Sequence, residues 1–394
     1  MLALEEGYDL ENTGLRGVSA ATTRVSMVDG ERGQLFYRGY NIEDLATKSN
    51  FEEVAYLLVH QKMPNRKELE TFSRTLAERR KLPGKLLSML ENYPKSAWTI
   101  DVLQSAVAVM GDLILYKEKG TRELDLQQGT SIIAKMPSLV AAWYRMKNGL
   151  EIVQPDQGLS HAASFLYMLN GEKPEPEMAR VFDASMVLHA EHTFNASTFT
   201  ARVIASTGAD IFAAVSGAIG SLSGELHGGA NEKVMLNLMN IGELEKVEAW
   251  VNEALEKGVR IAGMGHAVYR TMDPRARIIR TMLDDLPDKG GKWLEMSRMI
   301  ADISHQQILE RKGLSLYPNI DLYSGALYYS LGIPSVLFTP VFAVARTTGW
   351  VAHFLEEKYP TPPVKPVLYR PSATYIGHYH GDTGRRYIPI DDRK

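Results

Sequence analysis

One segment combines a histidine, two glycines and an arginine in a spacing that suits the binding of a keto acid. His266 follows Gly263 and Gly265 in Gly-Met-Gly-His-Ala-Val-Tyr-Arg, and Arg275 follows in Asp-Pro-Arg. Glycine lets the backbone approach a ligand closely. Histidine can donate to a carbonyl oxygen, and arginine grips a carboxylate with two parallel hydrogen bonds. The segment therefore fits a small molecule with a carbonyl and carboxylates, although a connecting loop with a surface histidine has the same pattern.

Two further segments carry groups that can move a proton. His227 lies in Gly-Glu-Leu-His-Gly-Gly-Ala-Asn, and apolar residues at helical spacing follow it. A histidine just before a helix start is held neutral by the helix dipole. Asp321 stands at the edge of a long uncharged stretch, where partial burial makes a carboxylate more basic. Taken singly, either residue is as well explained as a helix cap.

Together the three residues support a carbon–carbon bond-forming condensation. A serine-type triad does not fit, because the chain has no Gly-x-Ser-x-Gly nucleophile motif. Instead, Asp321 would remove a proton next to a carbonyl, and His227 would bond the oxygen that becomes an enolate. His266 would polarise a second carbonyl, which the enolate attacks. We expect this chemistry to need neither a metal nor a redox cofactor.

These motifs, in this order, resemble those of the citrate synthase family from Gly17 to Pro371. The resemblance implies that His227 stabilises the enolate of acetyl-CoA and that His266 engages the ketone of oxaloacetate. Asp321 would be the base for the acetyl methyl group. It also implies four oxaloacetate ligands, of which the last reaches into the site of the other subunit of a homodimer: His192, Arg275, Arg346 and Arg370.

The coenzyme A site is expected to be locally basic because the ligand is anionic. Lys257, Arg260 and Lys312 are the candidate cations, although a solvated surface accounts for them equally well. The backbone of Gly263, Met264 and Gly265 is the remaining candidate contact.

The amino-acid composition limits which binding partners and which cellular compartment are expected. The 394 residues include 45% hydrophobic and 23% charged side chains, with a net charge of −3 and no cysteine. The charge argues against a nucleic-acid partner. The missing cysteine excludes disulfides and sulfur ligands for zinc, and it fits the cytoplasm. The acidic N-terminus has no hydrophobic run, so we expect no secretory signal.

Sequence signals for the starts and ends of helices occur along most of the chain. Asn65 with Glu68 predicts a capping box, and Ser49 with Glu52 predicts another. His189 and His192 are three residues apart, which predicts one helix face. A zinc site there is an alternative, but a third ligand is lacking. The uncharged stretch from residue 322 to 345 is long enough to cross a bilayer. Its prolines and glycines instead predict a buried pair of short helices.

The elements predict an all-α fold with one small β-hairpin between residues 24 and 40. The resemblance adds the arrangement: a large helical domain from residues 1–220 and 329–394, with a smaller helical domain, 221–328, inserted between them. It also implies the reaction, in which acetyl-CoA and oxaloacetate yield citrate and CoA. The alternative is propionyl-CoA as the acyl donor, which would give 2-methylcitrate, because the motifs are compatible with both.

Overall fold

A computed structural model describes residues 14–15, 17–113, 120–284, 291–364, 367–373, 375 and 387–393. Within these ranges the chain forms sixteen α-helices. The first eight are α1 (Ile42–Lys48), α2 (Phe51–His60), α3 (Arg66–Arg79), α4 (Gly84–Asn92), α5 (Thr99–Leu113), α6 (Arg122–Lys147), α7 (His161–Asn170) and α8 (Pro176–His189). The other eight are α9 (Ala196–Ser206), α10 (Ile211–Leu222), α11 (Ala230–Ile241), α12 (Val247–Glu256), α13 (Pro274–Asp284), α14 (Gly291–Lys312), α15 (Ile320–Ser330) and α16 (Phe338–Lys358).

The predicted hairpin is present and forms most of a small antiparallel sheet. Strand β1 (Ser26–Asp29) pairs with β2 (Gln34–Tyr37), and the two-residue strand β3 (Tyr40–Asn41) adds to β2. The turn is closed by Asp29, whose carboxylate accepts from the Arg32 N–H at 2.9 Å. An all-α fold with one small sheet is therefore confirmed, and the third strand was not predicted.

One of the two predicted capping boxes is confirmed. Asn65 caps α3 by accepting from the Glu68 N–H at 3.0 Å, while the Glu68 carboxylate accepts from the Asn65 N–H at 2.9 Å. The other prediction was wrong by one residue. Asn50, not Ser49, caps α2, and Glu52 is buried, where it accepts from the His161 N–H at 2.7 Å.

Helix α16 is the centre of the larger group of helices. It is buried over most of its length and packs against α2, α6, α9 and α10. Small residues allow α10 to lie close to α9: a methyl group at Gly217 would overlap the side chain of Ile204. The structure thus gives the glycines and alanines of α10 a packing role inside one chain.

A second group of helices, α11 to α15, packs largely on itself, and all three chemical motifs lie on these helices or in the loops beside them. α11 and α13 pack against α15, and α14 packs against both α12 and α15. The inserted domain of residues 221–328 stays a prediction. The expected pair of short helices is α15 and α16, but α16 is long, with 21 residues. None of the described helices has the length and apolarity that a bilayer crossing needs.

Candidate active site

The loop that carries His266 is bonded to the segment that carries Asp321. The Asn319 N–H donates to the carbonyl of Gly263 at 2.9 Å, and the Asn319 side-chain amide donates to the carbonyl of Gly265 at 2.8 Å. These two bonds join residues that are more than fifty positions apart in the chain. They fix the positions of His266 and Asp321 relative to each other.

Gly263 allows this close approach. Its φ of +81° lies in the left-handed region, and a methyl group there would lie 2.8 Å from the Cβ of Leu322. Either constraint alone favours glycine. Gly263 and Met264 are buried. The structure thus gives Gly263 a packing role, and the backbone contact of residues 263–265 with coenzyme A stays a prediction.

Asp321 lies in the first turn of α15 and is a base poised near neutrality. Its N–H donates to the Asn319 side chain, which caps the helix, at 3.0 Å. Burial raises the pKa of Asp321 to about 6. The charge of Arg275 opposes this rise, and that of Asp273 adds to it. Asp321 is therefore ionised at neutral pH but considerably more basic than an exposed aspartate.

His266 is held as the neutral tautomer that carries its proton on Nε2. Its Nδ1 accepts from the backbone N–H groups of Val268 and Tyr269, at 3.0 and 3.2 Å. Because an N–H can only donate, Nδ1 must be the unprotonated nitrogen. Burial, with the charge of Arg275, lowers the pKa of His266 to about 4. The ring is thus neutral at pH 7 and offers Nε2–H as a donor.

His227 has the opposite tautomer. It lies in the turn before α11, and its Nε2 accepts from the Ser197 N–H at 3.3 Å and lies 2.8 Å from the Ser197 hydroxyl. The neutral ring therefore carries its proton on Nδ1. Burial, with the charge of Arg346, lowers the pKa of His227 to about 4. The Trp350 indole N–H donates to the same hydroxyl at 3.1 Å and keeps Ser197 in place.

The two arginines on helices α13 and α16 that could bind a ligand's carboxylates differ in how their own charges are balanced. Arg275 forms two hydrogen bonds with Asp273, at 3.0 and 2.8 Å. Arg346 is 1% exposed, donates from Nε to the carbonyl of His189 at 2.7 Å, and has no carboxylate ion-pair partner within the described ranges. Burial lowers its pKa to about 10, although Glu191 lies close enough to oppose this. A buried cation without a partner is costly unless an anionic ligand binds it.

His192 lies beside His266 but not on the predicted helix face. Helix α8 ends at His189, so His192 belongs to the loop that follows. Its ring centroid is 5.3 Å from that of His266, and its Nε2 is 3.2 Å from the Tyr269 hydroxyl. His189 faces the core and donates from Nδ1 to the carbonyl of Ser185 at 2.8 Å. No group of three or more potential metal ligands occurs among the described residues.

Electrostatics shows that six of the seven residues assigned to catalysis or oxaloacetate lie together. The charge of Arg275 lowers the pKa of His192, His266 and Asp321, and the charge of Arg346 lowers the pKa of His192, His227 and Asp321. We refer to these six residues as the candidate cluster: His192, His227, His266, Arg275, Asp321 and Arg346.

Arg370 does not join the candidate cluster of its own chain through any contact among the described residues. It is exposed. The N–H of the preceding residue, Tyr369, donates to the Ser206 hydroxyl at 3.4 Å, and the Tyr369 ring lies 5.5 Å from that of Phe199. The segment around Arg370 therefore lies against α9.

The three candidate coenzyme A cations lie on the second group of helices. Lys257 is the residue after α12, Lys312 is the last residue of α14, and these two helices pack together. Arg260 follows in the loop towards Gly263, and all three side chains are exposed. Lys257 is already paired with Glu253. The roles of the three cations stay predictions.

The structure adds two residues that motif reading missed. Tyr269 is buried and contacts both His192 and His266. Its place three residues after His266 was a usable signal. Ser197 sets the tautomer of His227 but lies thirty positions away in sequence, and no local pattern links the two.

The chain is similar to known proteins over nearly its whole length. The family model described as citrate synthase, C-terminal domain, matches residues 14–372. A citrate synthase of Haloferax volcanii is 43% identical, over 96% of this chain and 98% of the relative. A protein of Corynebacterium glutamicum named 2-methylcitrate synthase 2 is 38% identical, over 96% of this chain and 97% of its own.

A solved structure gives the same result. It is the ternary complex of citrate synthase from the thermophilic archaeon Thermoplasma acidophilum with carboxymethyl coenzyme A and oxaloacetate. Its TM-score is 0.87 at 31% identity, with 96% of this chain and 98% of that chain covered. With the fold, the family model and these relatives in agreement, the chain belongs to the citrate synthase family.

Proposed function

We propose that the protein condenses acetyl-CoA with oxaloacetate and hydrolyses the resulting citryl-CoA to citrate and CoA. The observation that carries the proposal is the joining of a base to a carbonyl donor: Asn319 ties the Asp321 segment to the His266 loop. Condensation needs both groups at once, on opposite sides of the new bond. The family membership supports the same reaction.

The first step forms the enolate of acetyl-CoA. The carboxylate of Asp321 accepts a proton from the acetyl methyl group, and the pKa of about 6 makes it a stronger base than an exposed aspartate. The thioester oxygen gains negative charge as this proton leaves. The Nδ1–H of neutral His227 donates a hydrogen bond to that oxygen and stabilises the enolate.

The second step joins the two substrates. The enolate carbon attacks the ketone carbon of oxaloacetate, and the ketone oxygen becomes an alkoxide that takes up a proton. The Nε2–H of His266 is the donor to this oxygen. Water then adds to the acyl carbon of citryl-CoA, the carbon–sulfur bond breaks, and the sulfur leaves as the thiol of CoA.

The charges of the candidate cluster fit a dicarboxylate. Arg275 retains hydrogen-bonding capacity beyond its pair with Asp273, and Arg346 has no carboxylate ion-pair partner among the described residues. His192 completes the set within one chain. We assign Arg370 to the site of a partner subunit in a homodimer, since its own segment lies against α9.

Coenzyme A is proposed to bind along the loop 257–265 and the end of α14. Lys257, Arg260 and Lys312 offer positive charge there, and Lys257 would have to exchange Glu253 for a phosphate. We expect no metal and no redox cofactor in the reaction, because proton transfer and oxyanion stabilisation suffice for it. The cytoplasm is the proposed location, on the absence of cysteine.

The second candidate is 2-methylcitrate synthesis from propionyl-CoA. It is favoured by one observation, the 38% identity to the protein named 2-methylcitrate synthase 2. The substrates differ by a single methylene, which a pocket distinguishes by about 1–3 kcal/mol, or roughly 10- to 200-fold. More of the close relatives are named citrate synthase, so acetyl-CoA is the first choice.

Thiol release from each acyl-CoA in the presence of oxaloacetate tests both candidates. We expect a higher kcat/KM for acetyl-CoA than for propionyl-CoA, and no release without oxaloacetate. A higher kcat/KM for propionyl-CoA would assign the second function. Release that is independent of oxaloacetate would indicate a plain thioesterase, and no release with either donor would contradict both proposals.

A further inference from the structure

The β1–β2 hairpin contacts the His192 loop through its strands. The Ser26 hydroxyl donates to the buried carboxylate of Glu191 at 2.8 Å and accepts from the Thr193 N–H at 3.0 Å. The Tyr37 hydroxyl donates to the carbonyl of Glu191 at 2.8 Å. Both neighbours of His192 in the chain are therefore bonded to the sheet.

The turn of the same hairpin contacts the loop that follows His266. The Arg270 N–H donates to the carbonyl of Gly30 at 2.9 Å. A methyl group at Gly30 would overlap the backbone oxygen of Val268, and one at Gly33 would lie 2.6 Å from the side chain of Thr271. The turn thus fits against residues 268–271 with no room for a larger side chain at Gly30.

The two loops meet at Tyr269, which lies within the segment that the turn contacts. Its side chain is 4% exposed, and its hydroxyl lies 3.2 Å from Nε2 of His192. Its ring centroid is 4.7 Å from that of His266, and its N–H donates to Nδ1 of the same histidine. A shift of the turn would therefore change the distance between the two histidines.

We propose that the β1–β2 hairpin is a positioning element of the oxaloacetate site, which sets the spacing of His192 and His266 by holding one loop with its strands and the other with its turn. Gly30 and Ser26 are its positioning residues. This inference rests on the proposed function, because it takes the two histidines as oxaloacetate ligands. It adds a role for the sheet, which contributes no residue to the candidate cluster.

Gly30→Ala tests the turn contact. The added methyl group pushes residues 268–271 away and should raise both KM and Kd for oxaloacetate by on the order of tenfold. KM for acetyl-CoA should change much less, because its proposed contacts lie elsewhere. The matched control is Gly84→Ala in α4, where a methyl group meets nothing within 4 Å. We expect it to leave both constants unchanged.

Ser26→Ala tests the strand contact and decides the matter if Gly30→Ala does not fold. It should raise Kd for oxaloacetate in the same direction, with circular dichroism confirming the fold of each variant. Wild-type enzyme is first shown to release thiol with oxaloacetate, because failure there contradicts the proposed function and not the hairpin. With active wild type, folded variants whose oxaloacetate constants equal those of Gly84→Ala would overturn the inference. An equal rise in KM for oxaloacetate and for acetyl-CoA would also overturn it.

Discussion

At the scale of single residues, the site depends on two neutral histidines with opposite tautomers. Backbone N–H groups assign both: those of residues 268 and 269 leave the proton of His266 on Nε2, and that of Ser197 leaves the proton of His227 on Nδ1. With each pKa near 4, both rings donate without carrying charge at pH 7. Asp321 loses its capacity to accept a proton as the pH falls through about 6.

Replacing the proposed base should stop the reaction without disturbing the fold. We expect Asp321→Asn to lower turnover by at least about 100-fold, because the amide has nearly the same shape but cannot accept a proton. Oxaloacetate binding should survive, since its ligands are other residues. Exchange of the acetyl-CoA methyl protons with solvent, followed by NMR, should vanish as well. Asp101→Asn, at an exposed position of α5, is the control, and persistent exchange in Asp321→Asn would identify another base.

Motifs predicted the residue types of the candidate cluster, a neutral His227 and a more basic Asp321, but they did not predict the tautomers of the histidines. Glycines beside each histidine and the uncharged stretch after Asp321 were enough to select three chemical groups. The tautomer of His227 depends on Ser197, and the contact of His192 with His266 depends on where α8 ends. Both are consequences of tertiary packing, which sequence spacing does not report.

At the scale of elements, the pairing of the Gly263 loop with the start of α15 holds the segment of the proposed base, Asp321, beside the loop of the proposed carbonyl donor, His266. Asn319 has three tasks there: it caps α15 and bonds the carbonyls of both glycines. Because Asn319 bonds the loop through both its backbone N–H and its side-chain amide, His266 and Asp321 should keep their separation even if the second group of helices moves. The spacing of the two proposed catalytic groups is thus set by two elements together.

Gly263→Ala should disturb this pairing more than an ordinary glycine substitution. The new methyl group meets Leu322, and both the φ of +81° and the overlap carry a cost, the overlap adding about 1–3 kcal/mol. We expect a lower kcat and a lower melting temperature. Gly149→Ala is the control, because its φ of +70° imposes similar backbone strain while a methyl group there meets nothing within 4 Å. Equal losses of kcat in the two variants would contradict the proposed role of the contact.

Element boundaries were predictable where the signal was local. The capping box of Asn65 and Glu68 needs only the N-cap residue and the first turn of α3, and it was predicted correctly. At α2 the same pattern gave a wrong prediction. The carboxylate of Glu52 instead accepts a hydrogen bond from the N–H of His161, over a hundred residues away. The cap then falls to Asn50.

At the scale of the whole molecule, the contacts within one chain do not explain the position of the segment around Arg370. It follows a proline-rich stretch and lies against α9, and its apolar residues Val367 and Leu368 are exposed. A second subunit would give this segment a surface to cover. The proposed homodimer therefore explains both the exposed apolar side chains and the separation of Arg370 from the candidate cluster.

Mixed dimers test whether Arg370 acts across the interface. Arg370→Ala and Asp321→Asn homodimers should each be nearly inactive. Unfolded together and reassembled, they should recover activity, because one site of each heterodimer receives both lesions and the other receives neither. Random pairing makes half the molecules heterodimers with one good site of two, so recovery should approach about a quarter of wild type.

The control for this experiment is each variant unfolded and reassembled alone, which should recover nothing. If Arg370 served its own chain, every site in a heterodimer would retain one lesion. Heterodimers that are verified by differential tagging and remain inactive would refute the shared site.

The arrangement of helices was predicted less from periodicity than from the family resemblance. Helix start and stop signals predicted where most helices lie. No local sequence pattern predicts that α10 packs against α5 and α9, or that α16 occupies the centre of the larger group. Those contacts join segments about a hundred or more residues apart, with the exception of α9 and α10. A family resemblance supplies such information because it carries the tertiary contacts of a fold with it.

The buried guanidinium of Arg346 also links heat resistance to metabolism. Its burial without a carboxylate ion-pair partner among the described residues carries a cost, which a dicarboxylate bound as proposed would remove. A ligand that binds only the folded state adds to the free energy of unfolding, by about 2.7 kcal/mol at a hundred times its Kd. We therefore expect the melting temperature of the protein to rise with the concentration of oxaloacetate around it. Molecules without bound oxaloacetate would be the first to unfold on heating.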